Sequence, residues 1–359
     1  MTDAMIAGAK TTESSTQPDI WTLRFDARQS TLIHHFAEEL AGIGGPQTSG
    51  ARSKAALAAT ALKLSCSKQQ SELLRAYSEG HVCVLIFEGL RKITDSPPPH
   101  ELPNLRSLEN RHEVLWLAAR NQILLELVDH KAFAYDMDNE GKMIRLVANF
   151  KGGGLTRIPE EPAHKEISSH SGLALGPHTE APYWCAMNAE NGHSPSPSSL
   201  ILTGLWNPGQ EPTRVIPLPP ILEKIGVSAC LALTTKSFRF TRSDSFVRGR
   251  GTDGQNVSIL TFDDNVGFAA RFNAYRFSVN DSASPLIKRA YSALCQSVSE
   301  AAPTEYMLNQ ESAMIINNTR ALHCRDVIKN NSRVLVRIFG LSKFSSPIVI
   351  SEDPLLLQG

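Results

Sequence analysis

The stretch Gly176–Cys185, "GPHTEAPYWC", holds two residues of types that bind metals or move protons, His178 and Glu180. On an extended segment, residues two apart project to the same face, so both side chains can reach one ion. The triplet alone is weak evidence. With eleven histidines and 36 acids in 359 residues, about one His-x-acid triplet arises by chance. The chain has a second, His164–Glu166, in the polar, Pro-bounded "EEPAHKE", which is expected to be exposed. By contrast, "SGLALG" brings an apolar run up to His178 and sets the first triplet at the rim of a core.

Two histidines and a carboxylate on one face of an octahedral ion leave the opposite face open. That is the facial triad of non-haem Fe(II) oxygenases. Downstream of the triplet only His193 and His323 can complete it. His193 lies in a Ser/Pro-rich stretch and is expected to be solvated. His323, in "INNTRALHCRD", follows the strand-like "SAMIINN" and is expected at a strand end facing a pocket. Arg337 follows fourteen residues later, inside the apolar "SRVLVRIFG". A guanidinium among Val, Leu, Ile and Phe is costly unless an anion pairs with it, and a carboxylate does so bidentately. An oxygenase that uses 2-oxoglutarate needs such a group for the distal carboxylate. Arg333 shares the strand parity and is the second candidate, nearer the strand end.

The elements that must position these groups follow from periodicity and punctuation. Helices are expected at "STLIHHFAEEL", at "SKQQSELLRAYSEG" with Gly80 as its stop, and at Glu113–His130. "HVCVLIFEGL" reads as a buried strand. Short strand-like segments then dominate: "AFAYDM", "KMIRLVANF", "SSLILTGLW", "TRVIPL", "CLALTTKSFRF", "SILTFDD", "SAMIINN" and "SRVLVRIFG", with one late helix at "SPLIKRAYSALCQSVSEAA". This order predicts an α+β fold with a β-sandwich or jelly-roll core. Residues 1–18 are expected to be disordered. Residues 19–359 form one expected domain, with an insertion at 188–199.

Composition narrows the function. Lys+Arg and Asp+Glu are both 36, so there is no basic footprint for nucleic acid or an anionic membrane. No apolar run reaches membrane-spanning length. Six scattered cysteines without a CxxC pair argue against a zinc ribbon or disulfide framework. With no secretory signal evident, a cytoplasmic protein with reduced thiols is expected.

Together these segments, from about Met143 to Gly340, resemble the clavaminate synthase-like branch of the Fe(II)/2-oxoglutarate-dependent oxygenases, which is related to the taurine dioxygenase group. "HTE" matches that branch, and its distal pattern N-x-R-x-x-H-x-R is met by Asn318, Arg320, His323 and Arg325. The resemblance implies a double-stranded β-helix (jelly-roll) core with flanking helices. It implies Fe(II) on His178, Glu180 and His323, with O2 and 2-oxoglutarate as co-substrates, the latter on Arg337 and Thr213. Ser168, Arg325 and Arg271 are the implied substrate contacts. The implied substrate is a small molecule, an amino acid either free or tethered to a carrier protein, and the implied reaction is C–H hydroxylation with release of succinate and CO2. Desaturation or cyclisation would start from the same C–H cleavage. Glu180 argues against a halogenase of this fold, in which a small residue frees the carboxylate site for chloride. The chain departs from the family at "APYWC", where relatives often carry "AFH". The lid-like stretch "GFAARFNAYRFSVND" offers Arg271, Asn273, Tyr275 and Arg276 where relatives acting on arginine-like substrates carry acids, which points to an acidic or neutral substrate. The other classes open to this ligand set are a Zn(II) hydrolase and a non-catalytic binding protein on the same scaffold.

Overall fold

The computed structural model describes residues 19–150, 168–247 and 249–359. The expected N-terminal tail and the second triplet, His164–Glu166, lie outside the described residues.

A nine-stranded mixed sheet forms the frame. Its order is Ile20–Arg24, Val84–Glu88, Ser312–Asn317, Ser199–Trp206, Val334–Ser342, His130–Tyr135, Leu355–Leu357 and Val349–Glu352, with Arg145–Val147 also pairing to Val334–Ser342. A four-stranded sheet follows the order Thr304–Tyr306, Thr213–Pro217, Ala321–Arg325, Leu175–His178. The architecture is α+β, with helices flanking the large sheet. The central strands Ser199–Trp206 and Val334–Ser342 are buried along their whole length. Covered on both faces, they read as nearly continuous apolar runs instead of an alternation. Gly204 permits a close crossing of this sheet, since a Cβ there would lie 2.5 Å from the Leu308 carbonyl oxygen.

The helix His112–Leu127 packs on the large sheet and is itself covered by Ala27–Gly42 and Ala51–Ser65. Buried on nearly all sides, it shows little amphipathic contrast. Ala27–Gly42 starts at a capping box in which Asp26 accepts from the Gln29 amide and Gln29 answers on the Asp26 amide. Such a cap contributes about 1 kcal/mol. It begins the helix three residues before the expected serine. Lys68–Ser78 starts at a second capping box on Ser67, and Gly80 follows in the left-handed region, φ +79°.

Several elements differ from the sequence reading, two of them for clear reasons. Ala51–Ser65 is a helix that the reading omits. Its buried stripe is mostly alanine, Ala51, Ala55, Ala58 and Ala59, so its hydrophobic contrast is weak. "CLALTTKSFRF" is not one strand: Val227–Leu233 is a helical turn packed on the helix Pro285–Glu300, and only Phe238–Phe240 is extended. The Ser/Pro-rich 188–199 stretch is tied down by buried serines. Ser196 donates to the Pro182 and Cys185 carbonyls, and His193 stacks on Trp184. All six cysteines are unpaired. Among the described residues, no helix is long and apolar enough to cross a membrane.

Candidate metal centre and its cavity

Antiparallel pairing brings together histidines that are distant in sequence. In the small sheet His323 stands directly across from His178, and the two rings lie 4.2 Å apart between centroids. Glu180 follows two residues after His178, and its Oε1 lies 3.4 Å from His323 Nε2. One potential ligand atom from each of the three residues falls within 4.8 Å of the others.

Hydrogen bonds fix this arrangement. His178 Nδ1 faces the Gly176 carbonyl at 2.7 Å, so it carries the proton and leaves the Nε2 lone pair for an ion. The Glu180 amide donates to Asn318 Oδ1 at 2.7 Å, and Asn318 Nδ2 donates to the Pro197 carbonyl. Asn318 is fully buried and acts on the site through the backbone of Glu180. Thr179 points away from the ion position and exchanges hydrogen bonds with Phe272, which closes the alternation of "HTE".

Charge is strongly organised here. Burial alone would raise the Glu180 pKa, but the Arg337 guanidinium and His323 outweigh it and hold the carboxyl well below the usual range. Burial, with His323 alongside, pushes the His178 imidazole down to about 3. Both groups are therefore in the metal-binding protonation state at neutral pH.

These residues open on a cavity whose empty space, including the part open to solvent, is about 830 Å³. Five guanidiniums line it, those of Arg145, Arg276, Arg325, Arg333 and Arg337, whereas Glu180 is the one carboxylate among its described lining residues. Arg337 Nη1 donates to Glu180 Oε1 at 2.6 Å, and its Nη2 lies 3.7 Å from Asp138. Arg333 Nη2 donates to Thr213 Oγ1 at 3.2 Å, while its Nε and Nη1 are buried without a partner. Thr213 lies two residues before Val215, the cross-strand partner of His323, and so faces the same side.

The other expected contacts divide. Ser168 lines the cavity and its hydroxyl accepts from the His170 amide. Arg325 also lines it, and clamps the adjoining loop by donating to the Ser168, Ser171 and Leu173 carbonyls. Arg271 is not brought to the cavity. Its buried guanidinium donates to the Ser258 carbonyl and hydroxyl, which satisfies it away from the site. Asn273, Tyr275 and Arg276 from the same stretch do line the cavity. Sequence reasoning missed Arg145, and marked out the stretch that holds Tyr183 without singling that residue out. Tyr183, from the atypical "APYWC", lines the cavity and accepts at its hydroxyl from Asn273 Nδ2 at 3.0 Å.

No protein-family model matches the chain, and no curated protein does. Solved structures do. The non-heme iron oxygenase OrfP, in complex with Fe, succinate and (3S)-hydroxy-L-Arg, superposes with a TM-score of 0.65 at 17% identity, over 89% of this chain and 93% of that one. Asparagine oxygenase in complex with Fe(II), 2S,3S-3-hydroxyasparagine and succinate gives 0.69 at 16% identity, over 94% and 99%. OrfP with Fe and alpha-ketoglutaric acid gives 0.65 at 18% identity, over 89% and 93%. At these identities the likeness is one of architecture: the chain shares the fold of OrfP and asparagine oxygenase.

Proposed function

We propose that this protein is an Fe(II)- and 2-oxoglutarate-dependent dioxygenase that hydroxylates a C–H bond of an amino acid, and that its nine-stranded and four-stranded sheets form a double-stranded β-helix (jelly-roll) within one domain. The observation that carries the reading is the convergence of His178, Glu180 and His323 at the wall of a cavity rich in guanidiniums. The donor set fits iron. It offers two imidazoles and a carboxylate held ionised, with the facing side open to the cavity. The cavity fits a dicarboxylate, because buried guanidinium nitrogens of Arg333 and Arg337 lack acceptors.

When bound, iron with O2 and 2-oxoglutarate supplies oxidative decarboxylation to succinate and CO2 and the cleavage of an unactivated C–H. His178, Glu180 and His323 would hold the ion, and Asn318 positions Glu180. The distal carboxylate of 2-oxoglutarate is best assigned to Arg333 and Thr213. Arg337, the residue expected from the sequence, is already engaged by Glu180 and Asp138. The two arginines are four residues apart, roughly 13 Å along extended chain, so they serve different parts of the cavity. Arg337, beside the metal ligands, then remains for a carboxylate of the substrate. That favours a free amino acid over one tethered through its carboxyl group. Among neighbours of this fold, OrfP is seen with a hydroxylated arginine and asparagine oxygenase with hydroxyasparagine, which supports an amino acid as substrate here.

The test is anaerobic loading with Fe(II), then addition of O2, 2-oxoglutarate and an amino-acid panel. Succinate release and a product heavier by one oxygen are expected, and His178→Ala should abolish both. Turnover of 2-oxoglutarate by His178→Ala would refute the assignment. Hydrolysis supported by Zn(II) alone would favour the hydrolase reading.

A further inference from the structure

Arg333 and Thr213, the pair that the reading above assigns to 2-oxoglutarate and on which this inference rests, stand where two loops cross between the sheets. Residues 207–212 lead from Ser199–Trp206 in the large sheet to Thr213–Pro217 in the small one. Residues 326–333 lead back, from Ala321–Arg325 in the small sheet to Val334–Ser342 in the large one. Thr213 begins the strand after the first loop, and Arg333 ends the second. Their hydrogen bond, from Arg333 Nη2 to Thr213 Oγ1 at 3.2 Å, spans elements of different sheets. No strand pairing fixes their separation.

Glu211 joins the two loops. Its Oε1 accepts from the Asn330 amide at 2.7 Å and its Oε2 from the Lys329 amide at 3.0 Å. Its own backbone is held at both groups by one side chain. The Glu211 amide donates to Asn207 Oδ1 at 2.9 Å, and its carbonyl accepts from Asn207 Nδ2 at 3.0 Å. Beyond the clamp, the Asn330 carbonyl accepts from the Arg333 amide at 3.0 Å, and Asn330 Oδ1 accepts from the Ser332 amide at 2.9 Å. A continuous run of hydrogen bonds therefore leads from Asn207 through Glu211 and Asn330 to the backbone of Arg333. The chemistry requires an ionised carboxylate, because it offers an acceptor to each of two amides. A carboxamide of the same shape offers one oxygen and turns an N–H toward the other amide. The charge helps as well: burial pushes the Arg333 guanidinium down to about 10, and Glu211 opposes that shift.

We propose that Glu211 is a positioning residue for 2-oxoglutarate, which clamps the turn before Arg333 so that its guanidinium and Thr213 Oγ1 form a preset seat for the distal carboxylate. Glu211 is not among the described residues lining the cavity, so it acts through Arg333. Its removal has two opposed effects. Loss of a negative charge draws an anion in, whereas loss of the clamp lets Arg333 drift from Thr213. Glu211 is partly exposed, so its field at the seat is screened by solvent. The geometry of a two-point seat has no such protection, since a small misplacement forfeits directional bonds. The second effect is the larger, and binding weakens.

The experiment uses the full chain, loaded with Fe(II) under anaerobic conditions, as wild type, Glu211→Gln and Glu211→Asp. The first variant keeps the shape and loses the charge and one acceptor; the second keeps the charge and loses the reach. Each is titrated calorimetrically with Fe(II), with 2-oxoglutarate and with 2-oxopentanoate, which carries a methyl group in place of the distal carboxylate. Both variants should bind 2-oxoglutarate about tenfold more weakly, as loss of a supporting hydrogen-bond partner does. Affinities for Fe(II) and 2-oxopentanoate should stay within about twofold of wild type. Ratios taken within one preparation do not depend on the fraction folded, and if Glu211→Gln does not fold, Glu211→Asp is read by the same ratios. Unchanged or tighter binding of 2-oxoglutarate by the folded variants overturns the inference. So does an equal loss for Fe(II) or for 2-oxopentanoate, which marks general damage instead of a misplaced Arg333. Either result, with a wild type that binds iron and 2-oxoglutarate, leaves the oxygenase reading intact. Failure of the wild type to bind them defeats that reading and the inference with it.

Discussion

Replacing Arg333 by glutamine should weaken 2-oxoglutarate binding about a hundredfold. Arg333 is 2% exposed, with Nη2 on Thr213 Oγ1 and with Nε and Nη1 buried and unpartnered. A distal carboxylate placed there would accept two charge-assisted hydrogen bonds, each about 1.5–3 kcal/mol. Removing the guanidinium also removes the cost of keeping a cation buried, so the lower end of the sum applies, about 3 kcal/mol. At 1.4 kcal/mol per tenfold, that is about two decades in Kd. The assay is anaerobic calorimetric titration of 2-oxoglutarate into Fe(II)-loaded protein, with a thermal melt to confirm folding. Thr213→Val, which deletes one neutral hydrogen-bonding group, should cost about 1 kcal/mol, or roughly fivefold. Arg337→Gln should leave the 2-oxoglutarate Kd within about threefold and act on the amino-acid substrate instead. If Arg333→Gln binds 2-oxoglutarate normally and Arg337→Gln loses it, the clamp assignment is reversed and the argument from unpartnered nitrogens is wrong.

Glu180→Ala should lose stoichiometric iron, measured by metal analysis after anaerobic loading and desalting, because it removes the charged member of the ligand set. Asn318→Ala should keep all three ligands yet lower iron affinity about tenfold, as supporting hydrogen-bond partners do. It should also destabilise the fold by about 1–3 kcal/mol, since the buried Glu180 amide and Pro197 carbonyl lose their partner. If iron binding is unchanged, Asn318 is purely structural. Acid stability should depend on His130, which sits against Ser199 and Tyr77 and which burial pushes down to about 4. Its folded pKa lies below the unfolded value, so the unfolded chain takes up the proton first as pH falls. The stability it contributes is complete above about pH 6.5 and drains away toward pH 4, by about 3 kcal/mol in all. Urea titrations across that range should show the slope, and His130→Gln should flatten it.

How much of the site was legible can be judged residue by residue. His178 and Glu180 were accessible because strand geometry turns a spacing of two into a shared face. His323 was accessible because it follows an apolar strand and few histidines remain after Glu180. Parity gives Arg333 and Arg337 the same role in the sequence, and the reading ranks Arg337 first because Arg333 lies nearer the strand end. Their difference lies in the partners Thr213 and Glu180, which come from other strands. Arg271 read like its neighbours in the lid-like stretch, and only the position of Ser258 draws it away. The alanine-striped helix at 51–65 and the helical turn at 227–233 escaped for a related reason: weak hydrophobic contrast in one, and packing against a distant helix in the other.

The sequence by itself determined the residue types at the candidate metal centre, the apolar runs that become central strands, and the helix-then-strand order of an α+β chain. These are local properties, set by side-chain chemistry and by periods of two and 3.6 residues. Tertiary structure decided what depends on register. It set His178 across from His323, although 145 residues separate them in the chain. It also gathered five guanidiniums around one carboxylate. Each guanidinium could have been neutralised locally or left in water. That they line one cavity follows only from how the strands and loops that carry them fold together.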